Sequence, residues 1–110
     1  MNRKEKLIWD TIDSMLVEAR DKDMDIIVHT TESPDAFLMV NKKSKKILVI
    51  GVVPDPEKNN KYKVESMMVN MQRWRWAEDE GFTFGDIVDN KTLSSEIFHS
   101  VKAGNVDVLK

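Results

Sequence analysis

Four lysines lie within five positions, Lys42, Lys43, Lys45 and Lys46. Cations at that density can contact a phosphate backbone. They also suit a solvated turn that discourages edge-to-edge aggregation. A second grouping is Arg73-Trp74-Arg75-Trp76. Aromatic residues and arginine are the usual anchors of protein interfaces. Neighbours on a helix point about 100° apart, so Trp74 and Trp76 cannot share a face. Trp74 falls in register with Val64, Met67, Met68 and Met71, as a core residue would. Trp76 falls in register with Tyr62 and Val69, and with Arg73 these form a candidate protein interface. His29 and His99 stand singly, without the spacing of metal ligands or of a catalytic pair. There is no glycine-rich phosphate loop and no Ser/His/Asp grouping. The absence of cysteine excludes disulfides and thiolate metal sites and fits a reducing compartment.

The elements that must position these residues follow from periodicity. Residues 2–21 read as a helix, with Asn2 and Glu5 as a capping box and Leu7, Ile8, Ile12, Met15, Leu16 and Ala19 at helical spacing. Residues 24–30, 36–40 and 47–53 read as strands. The third is apolar throughout apart from Gly51, which predicts burial on both faces. Pro54 and Pro56 end it. Residues 59–80 read as one long helix closed by Gly81. Residues 82–89 read as a fourth strand, and Thr92 as the N-cap of a last helix reaching Gly104. Residues 105–110 form a tail whose Val-Asp-Val alternation could pair with a sheet edge.

The chain has 110 residues, 41% apolar and 33% charged, enough for one domain with a core. The formal net charge of −2 argues mildly against a dedicated nucleic-acid binder. No apolar run reaches the roughly 18–20 residues of a membrane helix. The charged start, Met1-Asn2-Arg3-Lys4-Glu5-Lys6, is unlike a signal peptide. A cytoplasmic protein is expected. The predicted fold class is α/β, bordering on α+β. It is a single three-layer domain over residues 1–104 with a four-stranded mixed sheet, in the order helix, three strands, helix, strand, helix.

That order resembles the core of the PD-(D/E)XK nuclease superfamily. Ser33-Pro34-Asp35 at the head of a strand is similar to the family's Pro-Asp. The strand Ile47-Leu48-Val49-Ile50-Gly51-Val52-Val53 resembles the one that follows it. Lys61-Tyr62-Lys63 and the ending Arg73-Trp74-Arg75-Trp76-Ala77-Glu78-Asp79-Glu80-Gly81 are similar to the next helix in transposase-associated and restriction-like members. Cap-snatching endonucleases and phage-type junction resolvases share the layout. The likeness spans roughly residues 5–100, and its motif content is thin. It implies carboxylates holding one or two divalent metals and a lysine orienting the attacking water. The family's acid and lysine positions fall on Gly51 and Val53 here, or the acid falls on Val49 in a shifted register. The chain therefore departs from the pattern at its second carboxylate. By resemblance the metal ligands would be Asp35 with a displaced Asp55 or Glu57, and the catalytic residues Asp35 with Lys61 or Lys63. Glu5 and Asp13 are the first-helix acids that could join. Asp35 is also an ordinary turn aspartate after proline.

The function expected from these residues is that of a catalytically degenerate nuclease-fold protein. It would act as a small accessory or inhibitory binding module, of the kind phages and mobile elements encode. Its partner would be a protein or a protein–nucleic-acid complex, and it would need no cofactor. One alternative is an active endonuclease requiring Mg²⁺ or Mn²⁺. The other is a structural homo-oligomer joined through the Tyr62/Val69/Trp76 stripe.

Overall fold

The apolar run at 47–53 becomes the middle strand of the sheet. In the computed structural model, which describes residues 2–31 and 33–110, it forms β3 (Ile47–Pro54). The other strands are β1 (Ile26–Thr30), β2 (Ala36–Asn41), β4 (Tyr62–Val69) and β5 (Phe98–Val101). They lie in the order β1-β2-β3-β4-β5, every neighbouring pair antiparallel. The domain is α+β. The expected four-stranded mixed sheet is corrected to five antiparallel strands, and the expected order of elements to helix, four strands, three helices, strand and a short 3₁₀ helix.

Strand alternation divides β3 between two cores. Leu48, Ile50 and Val52 pack against helix α1 (Arg3–Asp21), which presents Ile8, Ile12, Met15 and Ala19 at helical spacing. Val49 and Val53 pack on the other side, under α2 (Met71–Asp79), α3 (Phe84–Asp89) and α4 (Lys91–Ile97). The three-layer arrangement and the doubly buried strand are as expected. Asn2 caps α1 as read: its Oδ1 accepts from the Glu5 N–H at 2.9 Å, and its Nδ2 donates to Glu5 Oε1 at 3.0 Å.

The long helix expected at 59–80 is two elements. Residues 62–69 are β4, and α2 begins only after Asn70, whose side chain accepts from the Arg73 N–H at 3.3 Å. Val64, Met67, Met68 and Met71 satisfy a helical period. The same stretch also alternates Val64, Ser66 and Met68 toward α1 with Met67 and Val69 toward α2. Ladders on both sides, to β3 and to β5, decide for the strand. This is a non-local outcome that local propensity does not carry.

The strand expected at 82–89 is α3, closed by a reciprocal cap. Asp86 N–H donates to Thr83 Oγ1 at 3.2 Å, and Thr83 N–H donates to Asp86 Oδ2 at 2.9 Å. The last helix is capped by Asn90, whose Oδ1 accepts from the Leu93 N–H at 3.1 Å, rather than by Thr92. It gives way to β5 at Phe98. The tail does not pair with an edge. Val106–Leu109 forms a 3₁₀ helix in the α1-side core, with Val106 and Leu109 fully buried. Asn41 Nδ2 and Ser44 Oγ both donate to the Leu109 carbonyl at 2.7 Å, and Lys22 Nζ meets Asp107 Oδ1 at 2.6 Å.

Candidate functional site

The Ser-Pro-Asp turn is built for clamping. Ala36 N–H donates to the Ser33 carbonyl at 3.3 Å, closing a turn with proline at its second position. The Thr31 hydroxyl oxygen lies 2.9 Å from the Ser33 carbonyl oxygen and accepts from the Ser33 N–H at 3.0 Å. So held, Ser33 is 5% exposed, and its Oγ accepts from the Phe84 N–H at 2.6 Å. The motif thereby satisfies a backbone donor in the first turn of α3. Phe84 then lies across Gly51: a Cβ at position 51 would collide with the Phe84 ring. The place where the resemblance puts a carboxylate is filled by an aromatic ring.

Asp35 reaches toward α1. Its Oδ2 lies 3.3 Å from Lys4 Nζ, and the same ammonium sits 5.1 Å from the centre of the Tyr62 ring. The residues proposed to join Asp35 lie elsewhere. Lys63 is paired in register with Val53 on the α2 side of the sheet and meets Glu65 at 3.1 Å. The hydrogen bond that Lys63 donates to Glu65, helped by the charge of Glu65 and by Asp55 and Glu57, holds the Lys63 ammonium above its usual range. Asp55 folds back to accept from the Glu57 N–H at 3.0 Å in the β3–β4 connection. Lys61 lines a different cleft, with Arg3 and Lys6. Glu5 caps α1, and Asp13 lies exposed on its outer face. Among the described residues no three acid, histidine or cysteine side chains converge as a metal site.

The heptad stripe dissolves with the helix that carried it. Tyr62 and Val69 are on opposite faces of β4, because their separation is odd. Tyr62 is exposed beside α1, whereas Val69 packs under the helices. Arg73 is ion-paired to Glu96 at 3.5 Å. Trp74 is buried, as its register indicated, and stacks obliquely on Phe98 at 5.7 Å. Trp76 remains 42% exposed, with its ring 6.1 Å from that of Phe82.

The four lysines are all exposed on the β2–β3 hairpin. Asn41 shapes that turn: Lys45 N–H donates to its carbonyl at 2.8 Å and Lys43 N–H to its Oδ1 at 2.9 Å, while Lys45 takes a φ of +65°. Lys43 also borders a shallow depression that includes Arg20, Asp23 and Asp25, so carboxylates neighbour this cation.

Comparison with known protein families, with curated proteins and with solved structures finds no match. The geometry of the chain itself therefore carries the functional reading. Among the described residues no helix is long and apolar enough to cross a membrane.

Another opening is the one sequence reasoning missed. A cleft of about 380 Å³ runs between α1 and the β3–β4 connection, lined by Arg3, Lys6, Leu7, Asp10, Lys61 and Tyr62. Only the i, i+3, i+4, i+7 spacing of its α1 half was visible in sequence. The half from the connection arrives through the sheet.

Proposed function

We propose that the chain is a non-catalytic binding module that docks a protein, or a protein–nucleic-acid complex, through the surface of α2 and α3 around Trp76. The observation that carries this is Trp76 itself, 42% exposed yet backed by the Phe82 ring at 6.1 Å. Arg75 lies exposed next to it in the chain. A supported aromatic with a neighbouring guanidinium has the make-up of an interface anchor. The pairing of Asp35 with Lys4, and the ring over Gly51, favour binding over metal-dependent cleavage. Descent from a nuclease supplies no residue to this proposal.

Two experiments test it. The purified chain, given Mn²⁺ or Mg²⁺ with plasmid or single-stranded nucleic acid, is expected to leave both intact. Cleavage that disappears in Asp35→Ala overturns the proposal in favour of an endonuclease. A purified partner, including a second copy of the chain detected by light scattering, is expected to lose at least about tenfold in affinity with Trp76→Ser. Affinity unchanged in that variant removes the α2–α3 surface as the site.

A further inference from the structure

The cleft beside α1 lies on the other side of the sheet from Trp76, and its lining is selective. Arg3, Lys6 and Lys61 face a single carboxylate, Asp10, and Lys6 already meets Asp10 at 3.2 Å. Arg3 and Lys61 take part in no ion pair among the described residues. The rest of the lining is dominated by Leu7 and the Tyr62 ring, 36% exposed. Tyr62 is held from outside the cleft by the Lys4 ammonium, 5.1 Å from the ring centre, and Lys4 is held in turn by Asp35 at 3.3 Å. The ring thus has a cation–π contact before anything binds. The β3–β4 connection that brings Lys61 is pinned by the Asp55 N–H, which donates to the Lys61 carbonyl at 2.9 Å.

We propose that this cleft binds a nucleoside phosphate group, with the base on Tyr62 and Leu7 and the phosphate between Arg3 and Lys61. A bare phosphate would leave the ring and Leu7 uncovered. An uncharged ring would leave both cations without a counter-charge. One molecule carrying a flat face and a terminal anion satisfies both halves. A volume of about 380 Å³ lies within the roughly 300–1,000 Å³ typical of small-molecule sites. Stacking on one aromatic face tolerates any base, so affinity across bases should vary little. The same chemistry is offered by a free mononucleotide and by the phosphorylated end of a single strand. The lysine hairpin is at the opposite end of β3 and is not part of the site.

Titration calorimetry at low salt, on the intact chain, compares adenosine monophosphate, uridine monophosphate, adenosine, inorganic phosphate and phenyl phosphate. Both nucleotides are expected to bind at least about tenfold tighter than adenosine or phosphate. Tyr62 is the chain's single tyrosine, so an upfield shift of its ring protons on nucleotide addition reports stacking directly. Lys61→Glu should abolish nucleotide binding. Tyr62→Leu should bring nucleotide affinity down to that of phosphate while leaving phosphate affinity unaltered. Both side chains are exposed, and an unchanged melting temperature confirms that the variants fold. A 5′-phosphorylated short strand that binds tighter than the mononucleotide assigns the site to strand ends, and weaker binding assigns it to free nucleotide. Nucleotides no tighter than inorganic phosphate, phenyl phosphate as tight as a nucleotide, or wild-type binding by both variants overturns the proposal. Trp76→Ser should bind nucleotide normally, which separates this outcome from that of the partner surface.

Discussion

The two faces of the sheet are covered in different ways. On one, a single helix of 19 residues and a buried 3₁₀ turn of four do the work. On the other, three helices of 9, 6 and 7 residues share it. The long helix is defined by its apolar stripe. Each short helix is defined by a cap, from Asn70, Thr83 or Asn90, because helices that short are marginal without capping and tertiary packing. The comparison also separates two kinds of surface. The α1 side offers a charged cleft with an apolar floor, and the short-helix side offers an exposed aromatic.

Truncation on each face tests how evenly the core is shared. Phe84→Ala, which removes the ring resting on Gly51 and 5.8 Å from Phe98, should cost about 3–5 kcal/mol in urea unfolding. Leu109→Ala should cost about 2–5 kcal/mol, since its side chain is fully buried. A loss near zero for Leu109→Ala would mean that the C-terminal turn is peripheral, and the comparison would fail there. Gly51→Ala sharpens the other side. Its Cβ would collide with Phe84, and overpacking of that kind costs about 1–3 kcal/mol.

Smaller effects distinguish capping from packing. Thr83→Ala should cost about 1 kcal/mol through the loss of the α3 cap, with no matching site on the single long helix except Asn2. Acid titration follows the same division. Hydrogen bonds from the Thr83 backbone and side chain hold the Asp86 carboxyl below its usual range, and the Lys22 hydrogen bond does the same for Asp107. Both groups therefore stabilise the fold above the ordinary aspartate value, and that contribution is lost as pH falls through their lowered values. Lys22 is held above its usual range by the hydrogen bonds it donates to Asp107 and Glu18. Its contribution is complete below the ordinary lysine value and is lost as pH rises through the raised one. Thr83→Ala keeps the backbone N–H that Asp86 accepts from, so it should only reduce the Asp86 part of the acid profile, and Lys22→Met should flatten the Asp107 part and the Lys22 part of the alkaline limb. The smallest expected change is Ser66→Ala. Ser66 is 2% exposed, and its buried hydroxyl has no hydrogen-bond partner within the described protein. Its removal should be neutral or stabilising by up to about 1 kcal/mol.

The candidate residues were legible to very different degrees. Trp74 was placed in the core correctly because Met71 and Trp74, three apart on α2, face the same core as Met67, although Val64 and Met68 of the expected stripe lie on the opposite face of β4. The Thr83–Asp86 cap was present in the text as a Thr-x-x-Asp pattern, but the β-rich composition of Phe-Thr-Phe and Ile-Val outweighed it. The Tyr62/Val69/Trp76 grouping failed for one reason: a period of seven means one face on a helix and opposite faces on a strand. The Ser-Pro-Asp turn was found, but what Ser33 bonds to lies 51 positions away.

By itself the sequence determined α1, the hairpin of β2 and β3, and the burial of β3 on both faces. These depend on spacing, capping and apolar runs within a few residues of one another. Tertiary structure alone decided that residues 62–69 extend, that Phe84 covers Gly51, and that Lys61 and Tyr62 meet Arg3 and Lys6. Each of these depends on hydrogen-bond ladders or contacts between distant segments, whose free energy appears only when the whole sheet has closed.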